Sequence, residues 1–374
     1  MSRTCVVAAG GTGGHMFPAE ALAREMAARG WRVILATDRR GEAYAQGFPA
    51  DDRLFLDAAT GRGPLGLINA GGTILKGMGQ ARRALRAANA AAVVGFGGYP
   101  SAPTLIAALL DRLPTVIHEQ NAVLGRTNRL LADRVRAVAG AFPIAGRTDV
   151  HVVGSPVRPE IRPLFDRAYA APGPDGPIEV LVTGGSQGAR LLSEAVPLAL
   201  AALPPEIRSR LRVQQQSRAE SLETARQAYL EAGIAAEVAP FFRDMADRLS
   251  RAHLLIGRAG ASTCAELAVA GLPSMLIPLA IATDDHQTLN ARVLVEAGAA
   301  VTIKESEATL ERLGTALLPL LSDPARLAAM SKAARSVALP DAAARLADLV
   351  EATVQISAGS ALRPSRPGFP DHSR

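Results

Sequence analysis

The chain has 374 residues, of which 48% are hydrophobic and 20% are charged, a balance that predicts a packed globular protein and excludes wholesale disorder. At a usual domain size of roughly 100 to 200 residues, this length predicts two domains, each large enough to bury its own core. The formal net charge of +6 favours partners that carry phosphate or an anionic membrane surface, whereas the 4% of aromatic residues and the lack of a long basic block argue against nucleic acid.

Neither a secretory signal nor a membrane-spanning helix is predicted. The first residues run almost at once into a strand-like segment, without the basic region, long apolar core and cleavage site of a signal peptide. No run of about 18 apolar residues occurs, so any membrane contact should be peripheral. The two cysteines, Cys5 and Cys264, lie far apart in apolar or small-residue runs, which favours a reducing cytosol.

The chain opens with a predicted strand, glycine-rich loop and helix. Residues 4–9 form a short apolar run, residues 10–15 form the loop, and a helical pattern extends over residues 19–29. Residues 32–37 have the composition of a second buried strand. Ligands of parallel sheets bind where strands end and helices begin, because loop amides and helix N-termini offer positive potential to phosphate.

The same unit recurs along the chain. Strand-like residues 91–94 lead into the glycine-rich loop 95–99, and residues 114–117 lead into the segment HEQN, residues 118–121. After a segment rich in proline and glycine, the opening unit reappears as strand 178–182 and glycine loop 184–188, and this alternation predicts two halves with parallel sheets. Further predictions are strands at 211–216, 236–239, 254–256 and 274–277, helices at 307–321, 324–337 and 341–355, and a disordered tail at 357–374.

Glycine loops of this kind also occur in dinucleotide-dependent oxidoreductases, which are the first rival interpretation. Asp38, at the end of the second strand, lies where a ribose-binding acid is expected. In the loop that starts at Gly11, however, Met16 occupies the third position, where a small residue lets the helix approach the strand. No glycine loop ends in Gly-Lys-Ser or Gly-Lys-Thr, which argues against a Walker loop.

Six motifs, taken together and in order, resemble the MurG family of bacterial glycosyltransferases. They are GGTGGHMFPA from Gly10, GFGGYPS from Gly95, HEQN from His118, GGSQGA from Gly184, GRAGASTCAE from Gly257 and DHQTLNA from Asp285. The resemblance extends over about residues 4–340, and the motifs are specific as a set although each alone is weak. This family adds N-acetylglucosamine to lipid I, which makes lipid II for peptidoglycan.

The resemblance implies an α/β fold of the GT-B type, with two Rossmann-like domains, parallel sheets and a cleft between the domains. We expect an N-terminal domain at residues 1–157, completed by the helix at about 341–356, to face the acceptor and the membrane. Residues 158–340 would form the C-terminal domain that holds the UDP-sugar donor. No cofactor is expected.

The resemblance also implies, motif by motif, which residues bind the donor. Ser186, in the loop 184–188, and Arg158, in the segment GSPVR, would contact the diphosphate. Arg158 could equally be an ordinary surface arginine. Further donor contacts are implied for Thr12, Gly13, Gly14, Asn121, Phe242, Ala261, Ser262, Thr263 and Gln287.

Glu266 has two interpretations. In the family's arrangement it would lie one turn into a helix and direct its carboxylate toward the ribose hydroxyls of the donor. Ser262 or Thr263 would cap that helix, and Thr263 with Glu266 also fits the spacing of a purely structural capping box.

An inverting single displacement requires a general base that takes the proton of the acceptor hydroxyl. His15 is the first candidate, because it closes the first glycine loop and an imidazole titrates near neutral pH. Alternatively, His15 only hydrogen-bonds a phosphate of the acceptor. His118 and Glu119 are weaker catalytic candidates, unless both only shape their loop.

No Asp-x-Asp triplet occurs in the sequence, so the metal-free pattern of the family is expected and no metal site is predicted. Helix N-termini, loop amides and Arg158 would then stabilise the leaving diphosphate. Two positions depart from the family pattern. Ser155 replaces an expected asparagine in GSPVR, and Phe242, near the uracil, replaces a smaller aliphatic residue.

Residues 61–86 are the predicted membrane-facing surface. Their sequence interleaves apolar side chains, which would enter the lipid interface, with cations, which would meet anionic lipids. A buried helix with a solvated basic face would give the same pattern. The apolar residues are Leu65, Leu67, Ile68, Ile74, Leu75 and Met78, and the basic ones are Arg62, Lys76, Arg82, Arg83 and Arg86.

On the strength of the resemblance, the chain is expected to transfer N-acetylglucosamine from UDP-N-acetylglucosamine to lipid I, the polyprenyl-diphosphate-linked muramyl-pentapeptide. It would act at the cytoplasmic face of the bacterial inner membrane. The alternatives are another UDP-sugar to lipid transferase, a nicotinamide-dependent oxidoreductase, and a cell-wall scaffold that binds the donor without turnover.

Overall fold

The computed structural model describes residues 2–10, 13–39, 41–57, 63–185, 188–280 and 285–361. In this part of the chain, two α/β units are each built around one parallel sheet. The strands of the first unit are β1 (Thr4–Ala8), β2 (Arg32–Thr37), β3 (Asp52–Phe55), β4 (Ala90–Gly95), β5 (Thr115–Glu119), β6 (Ala137–Gly140) and β7 (Val150–Val152). Its helices are α1 (Gly13–Ala28), α2 (Glu42–Ala45), α3 (Gly63–Ala87), α4 (Ala102–Leu110) and α5 (Arg126–Leu131).

The first sheet has seven strands in the order β3-β2-β1-β4-β5-β6-β7. All its strand pairs are parallel, and every residue of β1 is buried, as expected for a sheet that is covered by helices on both faces. The strand order changes direction between β1 and β4. The loops that follow these two strands, which contain Gly10 and Gly97, therefore flank the crevice where ligands bind in open α/β sheets.

The second unit repeats this plan with six parallel strands in the order β10-β9-β8-β11-β12-β13. Its switch point lies between β8 and β11, next to the second glycine loop. The strands are β8 (Ile178–Thr183), β9 (Leu211–Gln216), β10 (Ala235–Ala239), β11 (Leu254–Gly257), β12 (Ser274–Leu276) and β13 (Ala300–Thr302). The helices are α6 (Arg190–Ala201), α7 (Pro205–Arg208), α8 (Leu222–Glu231), α9 (Met245–Arg251), α10 (Ala261–Ala270), α11 (His286–Glu296), α12 (Leu310–Leu321), α13 (Pro324–Ser336) and α14 (Ala342–Ala361).

The last helix, α14, returns to the first unit. Leu346 and Val350 are fully buried in the same hydrophobic cluster as Met16 of α1. Arg29 pairs with two acidic residues of α14, and the Trp31 indole donates a hydrogen bond of 2.9 Å to Glu351. These contacts support the proposal that the helix at about 341–356 completes the first domain. The boundary near residue 157 stays a prediction.

The α/β class and the two parallel sheets are as predicted, but two local predictions are wrong. Helix α1 begins at Gly13, so residues 13–15 are helical rather than part of a loop. The helix continues to Ala361, so residues 357–361 do not belong to a disordered tail. The rest of the predicted tail, residues 362–374, lies outside the described residues. Among the helices of the described chain, none combines the length and the apolar character that crossing a membrane requires.

Candidate active site

A cleft with a volume of about 1010 Å³ is lined by residues that follow strands of both sheets. Two other cavities are far smaller, at about 250 and 110 Å³. The predicted site residues that line the cleft are Gly13, Gly14, His15, Asn121, Arg158, Phe242, Ala261, Ser262, Thr263, Glu266 and Gln287. Thr12 and Ser186 lie outside the described residues, and Glu119 does not line the cleft.

His15 stands in the first turn of α1 and is half-buried in the wall of the cleft. Its Nδ1 lies 3.1 Å from Oε1 of Gln120, which follows β5. The Gln120 amide also contacts His118, and Nε2 of His118 lies 2.8 Å from the carbonyl oxygen of Gly154. Burial lowers the pKa of His118 to about 4, so this ring is neutral near pH 7. His15 is thus the histidine of this pair that faces the cleft.

Glu119 shapes the loop that follows β5. Its side chain is buried, and one carboxylate oxygen accepts two hydrogen bonds of 3.1 Å from the backbone and side-chain amides of Asn121. The other oxygen accepts from Gly125 at 2.9 Å and from the Asn128 amide at 2.8 Å. A carboxylate with both oxygens occupied in this way is not placed to take a proton from a substrate in the cleft. The structure therefore favours the loop-shaping interpretation of Glu119 over the catalytic one.

Arg158 and Glu266 form a two-pronged ion pair. Arg158 Nε lies 3.0 Å from Glu266 Oε1, and Nη2 lies 3.1 Å from Oε2. The Arg158 side chain is only 21% exposed, so it is not an ordinary surface arginine. Burial lowers its pKa, but the adjacent Glu266 carboxylate more than compensates and the net shift is upward. Both residues line the cleft, and their pairing is a feature that the sequence did not indicate.

The cap of α10 differs from the sequence prediction. The N-cap residue is Gly260, in an extended conformation, and no side chain of the described residues caps the helix. Ser262 and Thr263 lie inside the first turn, so the predicted capping box is wrong, although Ser262 Oγ lies 3.4 Å from Glu266. Because the first amides of a helix lack intrahelical partners, the start of α10 presents N–H groups and a positive dipole end to the cleft.

Contacts of Gly184 and Gly185 hold the start of the second glycine loop in place. Gly184 has no room for a side chain, because a Cβ there would lie 2.3 Å from the amide nitrogen of Ala189. Gln216, at the end of β9, accepts a hydrogen bond of 2.7 Å from Thr183 and donates one of 3.1 Å to the carbonyl oxygen of Gly185. Gly185 has a φ of +77°, a backbone conformation that favours glycine. Gly184, Gly185 and Gly188 line the cleft.

Two neighbouring phenylalanines form one side of the cleft. Phe242 is buried beneath the guanidinium of Arg248, which lies 3.7 Å from the ring centre. Arg248 is itself fixed by ion pairs with Glu237 at 2.7 Å and Asp244 at 2.8 Å. Phe241, next in the chain, is 61% exposed. Both residues line the cleft, and an exposed aromatic ring such as that of Phe241 can stack on a nucleobase.

Gln287 and Asn121 line the cleft from opposite units. Gln287 Oε1 accepts a hydrogen bond of 3.0 Å from the backbone of Leu279. The side chain of Asn121 lies 3.2 Å from Asn290 of α11, which joins the two units. Amide side chains of this kind suit the hydroxyl and acetamido groups of a sugar.

Several cleft residues were missed at the sequence level. Gln120 and Arg258 lie inside the motifs that carried the resemblance, so the sequence did contain a signal for them. Gln216 and Phe241 carry no local signal of a site. The other missed residues that line the cleft include Phe17, Arg190, Arg218, Met245, His286 and Glu305.

Within the described ranges, no group of three or more His, Cys, Asp and Glu side chains is placed to hold a metal ion.

Family models match both units of the chain. Residues 5–140 match the glycosyltransferase family 28 N-terminal domain, and residues 179–346 match the glycosyltransferase family 28 C-terminal domain. The two matches contain the glycine loops of the two sheets and the residues of α10. They thus include nearly all of the cleft lining.

Individual proteins are similar over almost the whole chain. The UDP-N-acetylglucosamine–N-acetylmuramyl-(pentapeptide) pyrophosphoryl-undecaprenol N-acetylglucosamine transferase of Phenylobacterium zucineum is 58% identical over 365 residues, and that of Caulobacter vibrioides is 60% identical over 363 residues. Each alignment covers 95% of this chain and 100% of the relative. The crystal structure of Acinetobacter baumannii MurG is similar with a TM-score of 0.78 at 34% identity, covering 94% of this chain and 99% of that one. This likeness confirms the predicted architecture of two Rossmann-like units with a cleft between them.

Proposed function

The chain belongs to the MurG family of glycosyltransferases, and we propose that it transfers N-acetylglucosamine from UDP-N-acetylglucosamine to the lipid-linked muramyl-pentapeptide, forming lipid II. The observation that carries this proposal is the composition of the cleft. An imidazole, His15, enters it from the first unit, while the start of α10 and Glu266 enter it from the second. A transferase of this type needs both an acceptor-side base and a donor-side anion site.

The second unit is the proposed donor site. The loop amides at Gly184 and Gly185 and the N-terminus of α10, with Ala261, Ser262 and Thr263, would bind the diphosphate. Phe242 and its neighbour would pack against the uracil, and Glu266 would accept hydrogen bonds from the ribose hydroxyls.

Donor binding would change the partner of Arg158. Glu266 now holds this guanidinium with both oxygens, and a ribose diol would compete for the same oxygens. Released from Glu266, Arg158 would pair with the diphosphate, which is a bidentate partner of equal geometry. The ion pair would thereby keep the buried charges matched until the donor arrives.

In the proposed reaction, the hydroxyl oxygen of the muramyl residue forms a bond to the anomeric carbon of the donor sugar. The bond between that carbon and the β-phosphate oxygen breaks, and its electron pair leaves with UDP. The imidazole of His15 takes the hydroxyl proton. The loop amides, the α10 dipole and Arg158 stabilise the negative charge that grows on the diphosphate.

A transfer assay with purified protein and a short-chain lipid I analogue tests this function. Transfer from UDP-N-acetylglucosamine, with at least about tenfold preference over UDP-N-acetylgalactosamine, is the expected result. Addition of EDTA tests the expected independence of metal, and an unchanged rate is predicted. Saturable donor binding without transfer would contradict the proposed activity.

The oxidoreductase alternative loses its main support in the structure. Asp38 is buried, and its carboxylate accepts hydrogen bonds of 3.1 Å from the Tyr99 hydroxyl and from the backbone of Gly41. A ribose-binding acid must instead present its oxygens to the ligand. Met16 fills the core beneath α1, at the position where a dinucleotide site requires a small residue.

We further propose that α3 forms a peripheral contact with an anionic membrane, at the cytoplasmic face of the inner membrane. Leu75 is 63% exposed on this helix, and Leu110 of the adjacent α4 is 54% exposed. Arg82 and Arg86 both lie 2.7 Å from Asp111, and together they lower the pKa of that carboxyl group. The side chains of residues 63–71, which include Leu65, Leu67 and Ile68, and all of Arg62 lie outside the description.

Co-sedimentation with vesicles tests the membrane contact. Leu75→Asp should reduce binding to vesicles that contain phosphatidylglycerol roughly fivefold, because it places a carboxylate in the lipid interface. Leu230→Asp is the matched control, since Leu230 is 74% exposed on α8 of the other unit. Equal binding by the two variants would contradict the assignment of α3.

A further inference from the structure

A chain of hydrogen bonds links His15 to the backbone of the segment that follows β7. Gln120 Oε1 lies 3.1 Å from His15 Nδ1, and Gln120 Nε2 lies 3.2 Å from both Nδ1 and the carbonyl oxygen of His118. His118 Nε2 lies 2.8 Å from the carbonyl oxygen of Gly154. Gln120 is only 2% exposed and His118 is completely buried. The two inner members of the chain are therefore shielded from water.

The protons of His118 follow from its partners. A carbonyl oxygen can only accept, so the Nε2 that faces Gly154 must carry a hydrogen. Burial lowers the pKa of His118 to about 4, so the ring carries a single proton near pH 7. Nδ1 of His118 therefore has a free lone pair and acts as an acceptor.

The orientation of the Gln120 amide follows next. Its inner end faces two acceptors, the carbonyl oxygen and Nδ1 of His118. Only the NH₂ end of the amide can satisfy both, since it has two hydrogens to donate. The amide oxygen must therefore point at His15, which fixes an orientation that the positions of the heavy atoms alone leave open.

The position of the proton on His15 follows from the orientation of the Gln120 amide. Because Gln120 presents an oxygen, Nδ1 of His15 must donate, and the neutral ring then has its lone pair on Nε2. Nε2 is on the opposite edge of the ring and makes no hydrogen bond to a residue that the structure describes. The Cδ2 edge of the His15 ring faces Gly98, where an added Cβ would lie 3.5 Å away.

We propose that Gln120 and His118 are positioning residues that hold His15 in the tautomer with its proton on Nδ1, so that Nε2 accepts the proton of the acceptor hydroxyl. This inference rests on the proposed function for the identity of the reaction. The hydrogen bonds run from Gly154 through His118 and Gln120 to His15. They hold the His15 proton on Nδ1 although no carboxylate belongs to this chain of hydrogen bonds. Which ring nitrogen carries the proton is set by the partner of the other nitrogen.

Gln120→Leu tests the proposal, since it keeps the side-chain volume and removes both polar ends. Without this acceptor, the proton of the neutral His15 ring no longer favours Nδ1 over Nε2. We therefore expect kcat to fall roughly tenfold while KM for the donor changes less than about twofold. Nitrogen-15 NMR of histidine-labelled protein, with His15 assigned from a His15→Asn variant, reads the tautomer directly. Wild type should show a lone pair on Nε2, and Gln120→Leu should show mixed or reversed tautomers.

Gln120→Glu supplies the rescue. The inner carboxylate oxygen of this variant faces the two acceptors of His118, so its melting temperature should fall. The outer oxygen again accepts from Nδ1 of His15, so the variant should recover more activity than Gln120→Leu. It also favours the protonated imidazole, so the acid limb of its kcat/KM profile should move to higher pH. Arg158 and Glu266 share the cleft with His15 and are unchanged in every variant, so they do not account for a difference between variants.

Gln215→Leu is the control for loss of a buried glutamine. Gln215 is fully buried in β9 and donates to Leu192, far from His15 in sequence and outside the cleft lining. It should lower the melting temperature but leave the NMR signature of His15 and the pH profile unchanged.

A wild-type spectrum with the proton of His15 on Nε2, or a Gln120→Leu variant with unchanged tautomer and kcat, would overturn the inference. The NMR measurement needs no substrate. It therefore decides the tautomer even where the transfer assay fails and the proposed function falls.

Discussion

One buried side chain, His118, makes the stability of the folded chain depend on pH. His118 is buried next to Phe96, with ring centres 5.4 Å apart, and burial lowers its pKa from 6.5 to about 4. In the unfolded chain this imidazole takes up a proton near pH 6.5, whereas in the folded chain it stays neutral down to about pH 4. The unfolded chain therefore binds more protons between these values. The stabilisation is complete above pH 6.5 and is lost as the pH falls toward 4.

We expect His118 to account for a loss of roughly 3 kcal/mol of unfolding free energy between pH 7 and pH 4. His118→Gln keeps a donor for Gly154 but does not titrate, so its stability should fall less over the same range. Urea denaturation of both proteins at pH 7, 5.5 and 4 measures the difference. His253, whose pKa burial also lowers, is present in both and cancels. Parallel pH slopes would contradict the assigned pKa.

At the scale of elements, the segment after β7 is where the first unit meets α14. Gly154 has a φ of +90°, which side chains disfavour, and its carbonyl oxygen anchors His118. A Cβ at this position would lie 2.7 Å from Cβ of Leu339 and 3.0 Å from Cβ of Ala342. The start of α14 and the end of the chain of hydrogen bonds that leads to His15 therefore share one tightly packed turn.

Gly154→Ala should destabilise the protein by about 2–4 kcal/mol, because it combines backbone strain with a clash against α14. Gly146→Ala is the matched control. Gly146 has a similar φ of +78°, but an added Cβ would meet nothing within 4 Å, so only the backbone cost of about 1 kcal/mol applies. Chemical denaturation compares the two. Equal losses would show that packing against α14 contributes nothing.

The order of elements could be predicted from the sequence because its signals are local. Apolar runs, glycine loops and the proline-rich segment at residues 170–177 mark strands, turns and the division between the halves. The start of α1 was misplaced for an equally physical reason. Pro18 usually marks a first helical turn, but here burial of Met16, which is 1% exposed, accompanies a helix that starts earlier.

Much of the cleft lining also follows from motifs, whereas its internal pairing does not. Arg158 and Glu266 are separated by 108 positions, and their ion pair depends on how the segment after β7 meets α10. The contact of His15 with Gln120 spans 105 positions in the same way. No periodicity or spacing reports such contacts. Glu119 was therefore a catalytic candidate on sequence alone, and its four hydrogen bonds in the structure argue against that role.

At the scale of the whole molecule, one buried amide joins the two units beside the cleft. Asn290 of α11 accepts a hydrogen bond of 2.9 Å from the backbone of Ala122 and donates to Asn121 at 3.2 Å. It also donates to the carbonyl oxygen of Ala259 at 3.3 Å, close to the start of α10. The loop after β5 in the first unit and the segment before α10 in the second are therefore tied to the same side chain.

Asn290→Ala should lower kcat/KM for transfer roughly tenfold, because the two halves of the site lose a shared anchor and Ala122 loses its partner. Affinity for UDP alone should change less than about threefold, since UDP would bind the second unit. Calorimetric titration and the transfer assay on the same preparation separate the effects. Unchanged transfer would contradict a role for Asn290 in aligning the units.

We propose that one cleft binds the donor through the second unit and activates the acceptor through His15. The dependence of the single-turnover transfer rate on donor concentration tests both roles, for wild type, His15→Ala and Glu266→Ala. We expect His15→Ala to lower the plateau by about 100-fold or more at an unchanged half-saturation concentration. Glu266→Ala should raise the half-saturation concentration about tenfold or more while the plateau stays within a few fold. A His15→Ala enzyme with a normal plateau, or a Glu266→Ala enzyme with normal half-saturation, would contradict it.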